Sequence, residues 1–436
     1  MAASPIALSP RPNPPGSRGA PAVVKNKALA ILNSNTKAAR SPAAASPSLV
    51  ASAIPSASGE LDLAEQMNEN VREQFVSGAK LGEGTYAIVY AGHYRHDPTA
   101  LVAIKKIKYN AEFKDGIAMD AIRELKFLNE LSHPNIIKLH AVYSTKDQNI
   151  SLVLEHLPLG DLEGLWKNSE ITYTGADIKA WANMLCQAIW FCHENYILHR
   201  DIKGNNLLIA ADGTVKLADF GLARSFAEPG RNMTSNVITR FYRPPELFYG
   251  AHHYGGAVDM WSVGCVLAEL AIRNFFLASD TDIGQLATIC DHFGTPTEET
   301  WPGVTTLRYY LPPGEQDGIA KNSKAGKMGK PASWWRATFP LLGQDGVDFL
   351  RALLTMDPNS RLTARQALEH PYWSTAPRPT KKENLPVKKA GGGGGGAAAE
   401  KKVAAAEDLK RKGGGETPAN GRADKVARKL DFGAMA

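Results

Sequence analysis

Acidic residues are absent from the first 59 positions, which hold six Lys/Arg among mostly Ala, Ser and Pro. Such a stretch has too few large apolar side chains to offset the entropy lost on ordering, so residues 1–74 read as a mostly disordered extension. The same acid-free, Ser- and Arg-bearing composition also fits an organellar transit peptide, although no amphipathic Arg-bearing helix emerges. No run reaches the roughly 18 apolar residues that a membrane-spanning helix needs. Cysteine is scarce, with four in 436 residues and no C-x2-C pair, which argues against a zinc site or a disulfide framework. Cys186, Cys192, Cys265 and Cys290 lie in apolar stretches and read as buried thiols in a reducing compartment.

Charge is unevenly spread. From Thr380 onward there are 13 Lys/Arg against 7 Asp/Glu, with glycine runs at Gly391–Gly396 and Gly413–Gly415. Without the two ends, residues 60–379 carry 31 basic and 37 acidic residues, so the overall net charge of +6 belongs to the tails. A mildly acidic globule with basic arms is not a nucleic-acid reader in itself, and direct contact with nucleic acid would fall to those arms. Four Ser-Pro pairs, at Ser4, Ser9, Ser41 and Ser46, offer sites to a proline-directed kinase.

Between the tails, short β-branched runs give way to longer helical periodicity, the layout of an α+β enzyme. Strands are expected at 87–94, 101–107 and 149–155, and helices at 120–131, 177–195, 256–273, 282–293, 344–356 and 363–370. This divides residues 75–373 into a small β-rich lobe (75–157) and a larger helical lobe (158–373). Residues 311–333, with Lys321, Lys324, Lys327 and Lys330, read as a solvated surface insertion. Residues 374–436 read as a basic Gly/Ala/Lys-rich tail.

Two strings carry the chemistry. His199-Arg200-Asp201 is followed by Lys203 and Asn206, and Asp219-Phe220-Gly221 begins thirteen positions after Asn206. Asp201 can accept a proton from a hydroxyl, Lys203 can neutralise a moving phosphoryl group, and Asn206 with Asp219 can share magnesium beside a triphosphate. Thr239 is placed to hydrogen-bond into the same loop. Upstream, Leu81-Gly82-Glu83-Gly84-Thr85-Tyr86-Ala87, then Val89, sits between two strands, where backbone amides can close over phosphates. That hairpin setting separates it from a dinucleotide-binding turn, which lies between strand and helix. Lys105 ends Val102-Ala103-Ile104-Lys105 and can reach the α- and β-phosphates, steadied by Glu124. Leu81, Val89, Ala103 and Leu208 form an apolar slot for adenine, with backbone groups of Glu155 and Leu157 at its edge and Leu154 at its gate. Taken singly, each of these slot residues serves equally well as core.

With these residues placed, 75–373 resembles a eukaryotic Ser/Thr protein kinase of bilobal fold, requiring ATP and Mg2+. Ala121-Ile122-Arg123-Glu124-Leu125 resembles the cyclin-binding helix of cyclin-dependent kinases, which implies that a cyclin seats Glu124 against Lys105. In Met233-Thr234-Ser235-Asn236-Val237-Ile238-Thr239-Arg240, Thr234 is the single phosphorylatable threonine where mitogen-activated kinases have Thr-x-Tyr. Arg123, Arg200 and Arg224 match the family's receptor for that phosphate. Thr85 and Tyr86 are similar to the inhibitory phosphorylation pair of cell-cycle members.

Further likeness points to the CDK-activating kinase that serves general transcription factor IIH, in its plant- or alga-like D-type form. It rests on Asn149–Val153, Asn205-Asn206, Thr239-Arg240, Gly294–Glu299, Arg378–Pro386 and Lys429–Phe432. The resemblance implies an H-type cyclin, an assembly factor and transcription factor IIH subunits as partners. Other cyclin-dependent kinases and the RNA polymerase II repeats are the implied substrates, with the nucleus, or also the cytoplasm, as location. Alternatives are a cell-cycle or other proline-directed kinase, or a silent scaffold. Departures from the family pattern are Gly204 for proline, Phe241 for tryptophan, Pro244 for alanine, Leu154 for phenylalanine, and Glu228 for a phosphorylatable serine. Glu246 and Arg361 are expected to pair, and Asp259 to brace the catalytic loop.

Overall fold

The computed structural model describes residues 62–84, 87–108, 119–145, 149–226, 232–312 and 328–387. Helix α1 (Leu63–Glu73) comes first, within the stretch expected to be mostly disordered. Its sequence, LAEQMNENVRE, is largely polar and none of its residues is fully buried, so little in the pattern marks it as an element. Tertiary contacts hold it instead: Asn68 hydrogen-bonds the backbone N–H and C=O of Ser144, and Val71 packs beside Phe75 and Tyr143.

Five antiparallel strands follow: β1 (Phe75–Glu83), β2 (Ala87–Tyr94), β3 (Asp97–Ile107), then β4 (Leu139–Ser144) and β5 (Ile150–Glu155) after helix α2 (Met119–Glu130). Their order in the sheet is β1-β2-β3-β5-β4. Successive side chains point to opposite faces, and the register sorts them. Val102, Ile104 and Val153 turn to the outer face, where they join Phe75 and Tyr143 in a buried cluster. Val89, Ala103, Lys105, Leu152 and Leu154 share the inner face, because Val89 and Leu152 lie opposite Lys105 while Leu154 lies opposite Ala103.

The second lobe is helical: α3 (Leu162–Lys167), α4 (Gly175–Glu194), α5 (Pro245–Phe248), α6 (Ala257–Ile272), α7 (Asp282–Phe293), α8 (Ala332–Thr338), α9 (Gly343–Leu353) and α10 (Ala364–Glu369). Helix α4 starts at a capping box between Thr174 and Asp177. Fourteen of the sixteen residues of α6 are buried, so it is the central rod of the lobe. Four short strands lie between α4 and α5, β6 (Ile197–Leu198) pairing β9 (Arg224–Ser225), and β7 (Leu207–Ile209) pairing β8 (Val215–Leu217).

Two further expectations change. Residues 375–387 pack on the helical lobe rather than starting a free tail: buried Lys179 donates to the carbonyls of Thr375 (3.1 Å) and Pro377 (2.9 Å). Leu385 joins the main core, and Lys382 pairs with Asp212 at 2.6 Å. A basic, proline-containing stretch gives no sign that a buried ammonium in α4 needs its carbonyls. The end of the expected insertion is also structured, since Lys330 pairs with Asp291 at 3.0 Å and α8 buries Trp335. The rest of that insertion's lysines, Thr85, Tyr86, Glu228, the four Ser-Pro pairs and Lys429–Phe432 lie outside the described residues. Among the described residues, no helix is long and apolar enough to cross a membrane.

Candidate active site

Helix α2 and strand β3 meet at an ion pair. Lys105 Nζ lies 2.8 and 2.7 Å from the two Glu124 oxygens, and 3.7 Å from Asp219 Oδ1. Burial alone would discharge the amine, but the Glu124 and Asp219 carboxylates outweigh it and hold the Lys105 pKa above its ordinary value. Burial would likewise raise Asp219, yet Lys105 keeps that carboxylate below the usual range. Both groups therefore stay charged at neutral pH. Gly221, two residues past Asp219, lies so close to α2 that an added Cβ would sit 3.4 Å from Asp120 Cβ.

The catalytic loop is wired around Asp201. Thr239 Oγ1 donates to Asp201 Oδ1 (2.8 Å), while Lys203 Nζ stands 2.9 Å from Oδ2 and 3.4 Å from Thr239 Oγ1. Asn206 Nδ2 donates to Asp201 O (2.8 Å) and Oδ2 (3.0 Å). From α6, Asp259 accepts three bonds: from His199 N–H (3.0 Å), Arg200 N–H (2.9 Å) and His193 Nε2 (2.9 Å). These hold Arg200 at φ +64°, a left-handed conformation costly to a side-chain-bearing residue. His199 is fully buried and neutral by desolvation, with Nε2 donating to Ala218 O at 3.1 Å and Phe220 edge-on to its ring at 4.7 Å.

The β1–β2 hairpin closes with Gly84 N–H to Ala87 O at 2.9 Å. A Cβ at Gly82 would touch nothing within 4 Å, so glycine there serves no packing in the chain itself and leaves room for a ligand. Glu83 is held by Lys108 at 2.6 Å and by Lys80, which brings its pKa down to about 2. Val89, Ala103, Leu157 and Leu208 are half-buried and Leu81 is more exposed, an apolar surface without full cover. Glu155 N–H donates to Lys138 O at 3.0 Å, which leaves its carbonyl as the backbone group it could turn to a base.

The donor set fits a nucleotide carrying a hard cation. The amide nitrogen of Asn206 is committed to Asp201, leaving its oxygen, and the Asp219 carboxylate is 47% exposed. Among the described residues no three His, Cys, Asp or Glu form a metal cluster, but magnesium on a triphosphate needs only one or two protein ligands.

Comparison with known proteins gives the family. The protein kinase domain profile matches residues 75–373. The chain belongs to the protein kinase family. Within it, several similar relatives are named cyclin-dependent kinases. Serine/threonine-protein kinase KIN28 of Saccharomyces cerevisiae is 42% identical over 323 residues, 73% of this chain and 99% of that protein. Cyclin-dependent kinase 7 of Xenopus laevis is 45% identical over 308 residues, 70% of this chain and 83% of that one. Cyclin-dependent kinase D-1 of Arabidopsis thaliana is 40% identical over 319 residues, covering 73% and 75%. A solved chain in the CAK complex of Chaetomium thermophilum bound to ATP-gamma-S matches with TM-score 0.71 and 58% identity, covering 75% of this chain and 99% of that one. This kinase is a serine/threonine protein kinase of cyclin-dependent type.

The kinase's activation segment is tied down unevenly. Arg200 donates to Leu222 O (2.8 Å) and Tyr254 OH (3.1 Å), and Tyr254 donates to Thr234 O (2.7 Å). Arg224 reaches Asn232 O at 3.4 Å. Two of the three candidate phosphate-binding arginines therefore close on the stretch around exposed Thr234, whereas Arg123 pairs with Asp120 on its own helix at 2.9 Å. Tyr254 and Arg243 escaped the sequence reading, because a lone Tyr or Arg in a loop carries no spacing signal. Arg243 donates to the carbonyls of Val237 (2.9 Å) and Ile238 (3.1 Å), and Ile238 sits at φ +69°.

Proposed function

We propose that this kinase is a cyclin-activated CDK-activating kinase, transferring the γ-phosphoryl group of ATP to other cyclin-dependent kinases and to the RNA polymerase II repeats. The observation that carries it is the ammonium of Lys105 shared by Glu124 and Asp219, next to a base, Asp201, held by Thr239 and Lys203. The relatives' names and the CAK complex support the substrate class.

In this reading Asp201 takes the proton of the acceptor hydroxyl as its oxygen bonds to the γ-phosphorus. The bond to the β–γ bridging oxygen breaks, and ADP leaves with the electron pair. Lys203 neutralises charge on the moving group, Lys105 orients the α- and β-phosphates, and the backbone from Gly82 to Ala87 covers them. Asn206 and Asp219 would hold Mg2+, which when bound supplies positive charge at the phosphate oxygens. An H-type cyclin would press on α2, and phosphate on Thr234 would draw in Arg200 and Arg224, with Arg123 exchanging Asp120 for the same anion. An assembly factor, transcription factor IIH subunits and a nuclear location complete the proposal.

A second reading, toward Ser/Thr-Pro acceptors, rests on Ile238. A carbonyl already capped by Arg243 cannot accept a substrate N–H, and proline has none to satisfy. The full chain purified with an H-type cyclin distinguishes the two. Phosphorylation of an activation-segment peptide lacking proline after the acceptor is expected, and activity confined to Ser/Thr-Pro peptides would overturn the CDK-activating assignment. Asp219→Asn is expected to cut transfer by about 10²-fold or more with the fold retained. Unchanged transfer would return the scaffold reading.

A further inference from the structure

Behind the hinge, the segment 155–157 that leads from one lobe to the other, both lobes are stitched together by a junction whose side chains have no role above. Residues 135–138 run beside β8: Leu217 N–H donates to Asn135 O, Ile137 N–H to Leu217 O, and Asn135 Nδ2 to Val215 O, each at 2.9 Å. The last residue of that run then meets the hinge twice, through Glu155 N–H to Lys138 O (3.0 Å) and Lys138 N–H to Glu155 Oε1 (2.7 Å). Lys216, in the middle of β8, closes the ring with Nζ 2.9 Å from the same Oε1.

One carboxylate oxygen thus joins the approach to β4, the end of β5 and the middle of β8. The Glu155 and Lys216 side chains are only 19% and 15% exposed, so solvent competes weakly for the bond, unlike the usual surface ion pair. Placement gives the junction its consequence. Glu155 borders the apolar slot, and Asp219 follows Lys216 by three residues on the strand leading out of β8. The pair therefore ties the edge that meets a base to the strand lying opposite Leu208 of the apolar slot.

We infer that the Glu155 carboxylate and Lys216 are positioning residues for the nucleotide, with Lys216 acting through the hinge and touching neither substrate nor reacting atoms. The inference rests on the ATP-dependent reading above. A loosened hinge spends binding energy on ordering itself, so the loss falls on nucleotide affinity. The bonds that hold Asp201, from Thr239, Lys203 and Asn206, are made without Glu155 or Lys216, so the chemical step is spared.

The test uses the full chain with its cyclin and three forms: unsubstituted, Lys216→Met and Lys216→Arg. ATP affinity is measured directly by calorimetric titration with magnesium, KM and kcat on a peptide substrate, and amide exchange across residues 135–158. Lys216→Met is expected to raise both Kd and KM for ATP about three- to ten-fold, with kcat within about two-fold. Faster exchange at Lys138 and Glu155, and recovery in Lys216→Arg, complete the expected result. Unchanged ATP affinity in Lys216→Met, or a fall in kcat with KM constant, overturns the positioning role. If the unsubstituted chain does not bind ATP, the ATP-dependent reading itself fails.

Discussion

Arg361 and Glu246 form a two-pronged ion pair in the interior, Nη1 to Oε1 at 2.7 Å and Nη2 to Oε2 at 3.0 Å, with side chains 0% and 3% exposed. The guanidinium also donates to the carbonyls of Thr355, Met356 and Ala257, which leaves no donor direction idle. Breaking such a pair leaves one buried charge uncompensated, at a cost of about 3–5 kcal/mol. Arg361→Ala is therefore expected to lower the melting temperature by many degrees and to reduce soluble yield, as thermal unfolding will report. A mild effect, under about 1 kcal/mol, would mean that water reaches Glu246.

The pairing of Glu246 with Arg361 and the bracing by Asp259 were legible only through the family resemblance, which carries both roles onto matching positions. Strands β2 and β5 and most long helices were legible from the residues themselves, since their apolar periods are strong. Strand β4 was not: LHAVYS is six residues long and gains its place only by pairing with β5. Helix α1 and residues 375–387 share that character, being polar segments fixed by partners remote in sequence, Ser144 for one and Lys179 for the other. In the site, the catalytic set came directly from local strings, while Tyr254, Arg243 and Lys216 act through contacts that no local string encodes.

The space around Gly204 is tight. An added Cβ would lie 3.0 Å from Glu163 Cβ, 3.2 Å from Glu163 N and 3.3 Å from its Cα. Backbone atoms cannot swing aside as a side chain end can, so α3 must shift to admit even a methyl group. Gly204→Ala is expected to cost about 1–3 kcal/mol in a denaturant titration and to slow catalysis, since Lys203 and Asn206 flank the site. A variant as stable and active as the parent would mean that α3 yields freely.

Glu269 gives a pH signature. It is buried in α6, where desolvation lifts its pKa well above the ordinary carboxylate value, and Tyr242 OH donates to it at 3.1 Å. The folded chain then keeps a proton that the unfolded chain releases above its unfolded pKa near 4.5. Stability from this group is complete below that pH and declines as pH rises toward the folded pKa. Glu269→Gln is expected to flatten this decline, so that the variant gains melting temperature relative to the parent at pH 8 more than at pH 5. Parallel curves at both pH values would contradict a protonated Glu269.

Ending the chain at Ser374 should be costly, although it removes what reads as tail. Lys179 would lose both carbonyl acceptors while its ammonium stays over the Tyr372 ring, and Leu385 would leave the core. A loss of about 3 kcal/mol is expected, read as a lowered melting temperature against a chain ending after Val387. Equal stability of the two forms would show that solvent replaces the carbonyls without penalty.

The three bonds accepted by Asp259 also set an order of events during synthesis. A nascent chain that has cleared the ribosome only as far as Gly221 already carries Lys105, Glu124, Asp201, Asn206 and Asp219. Arg200, however, has nothing to hold its left-handed backbone until Asp259 emerges, and Glu246 waits for Arg361. Every reactive group is therefore made before the scaffold that shapes it, and an interrupted translation product would bear the full chemistry of the site without its geometry.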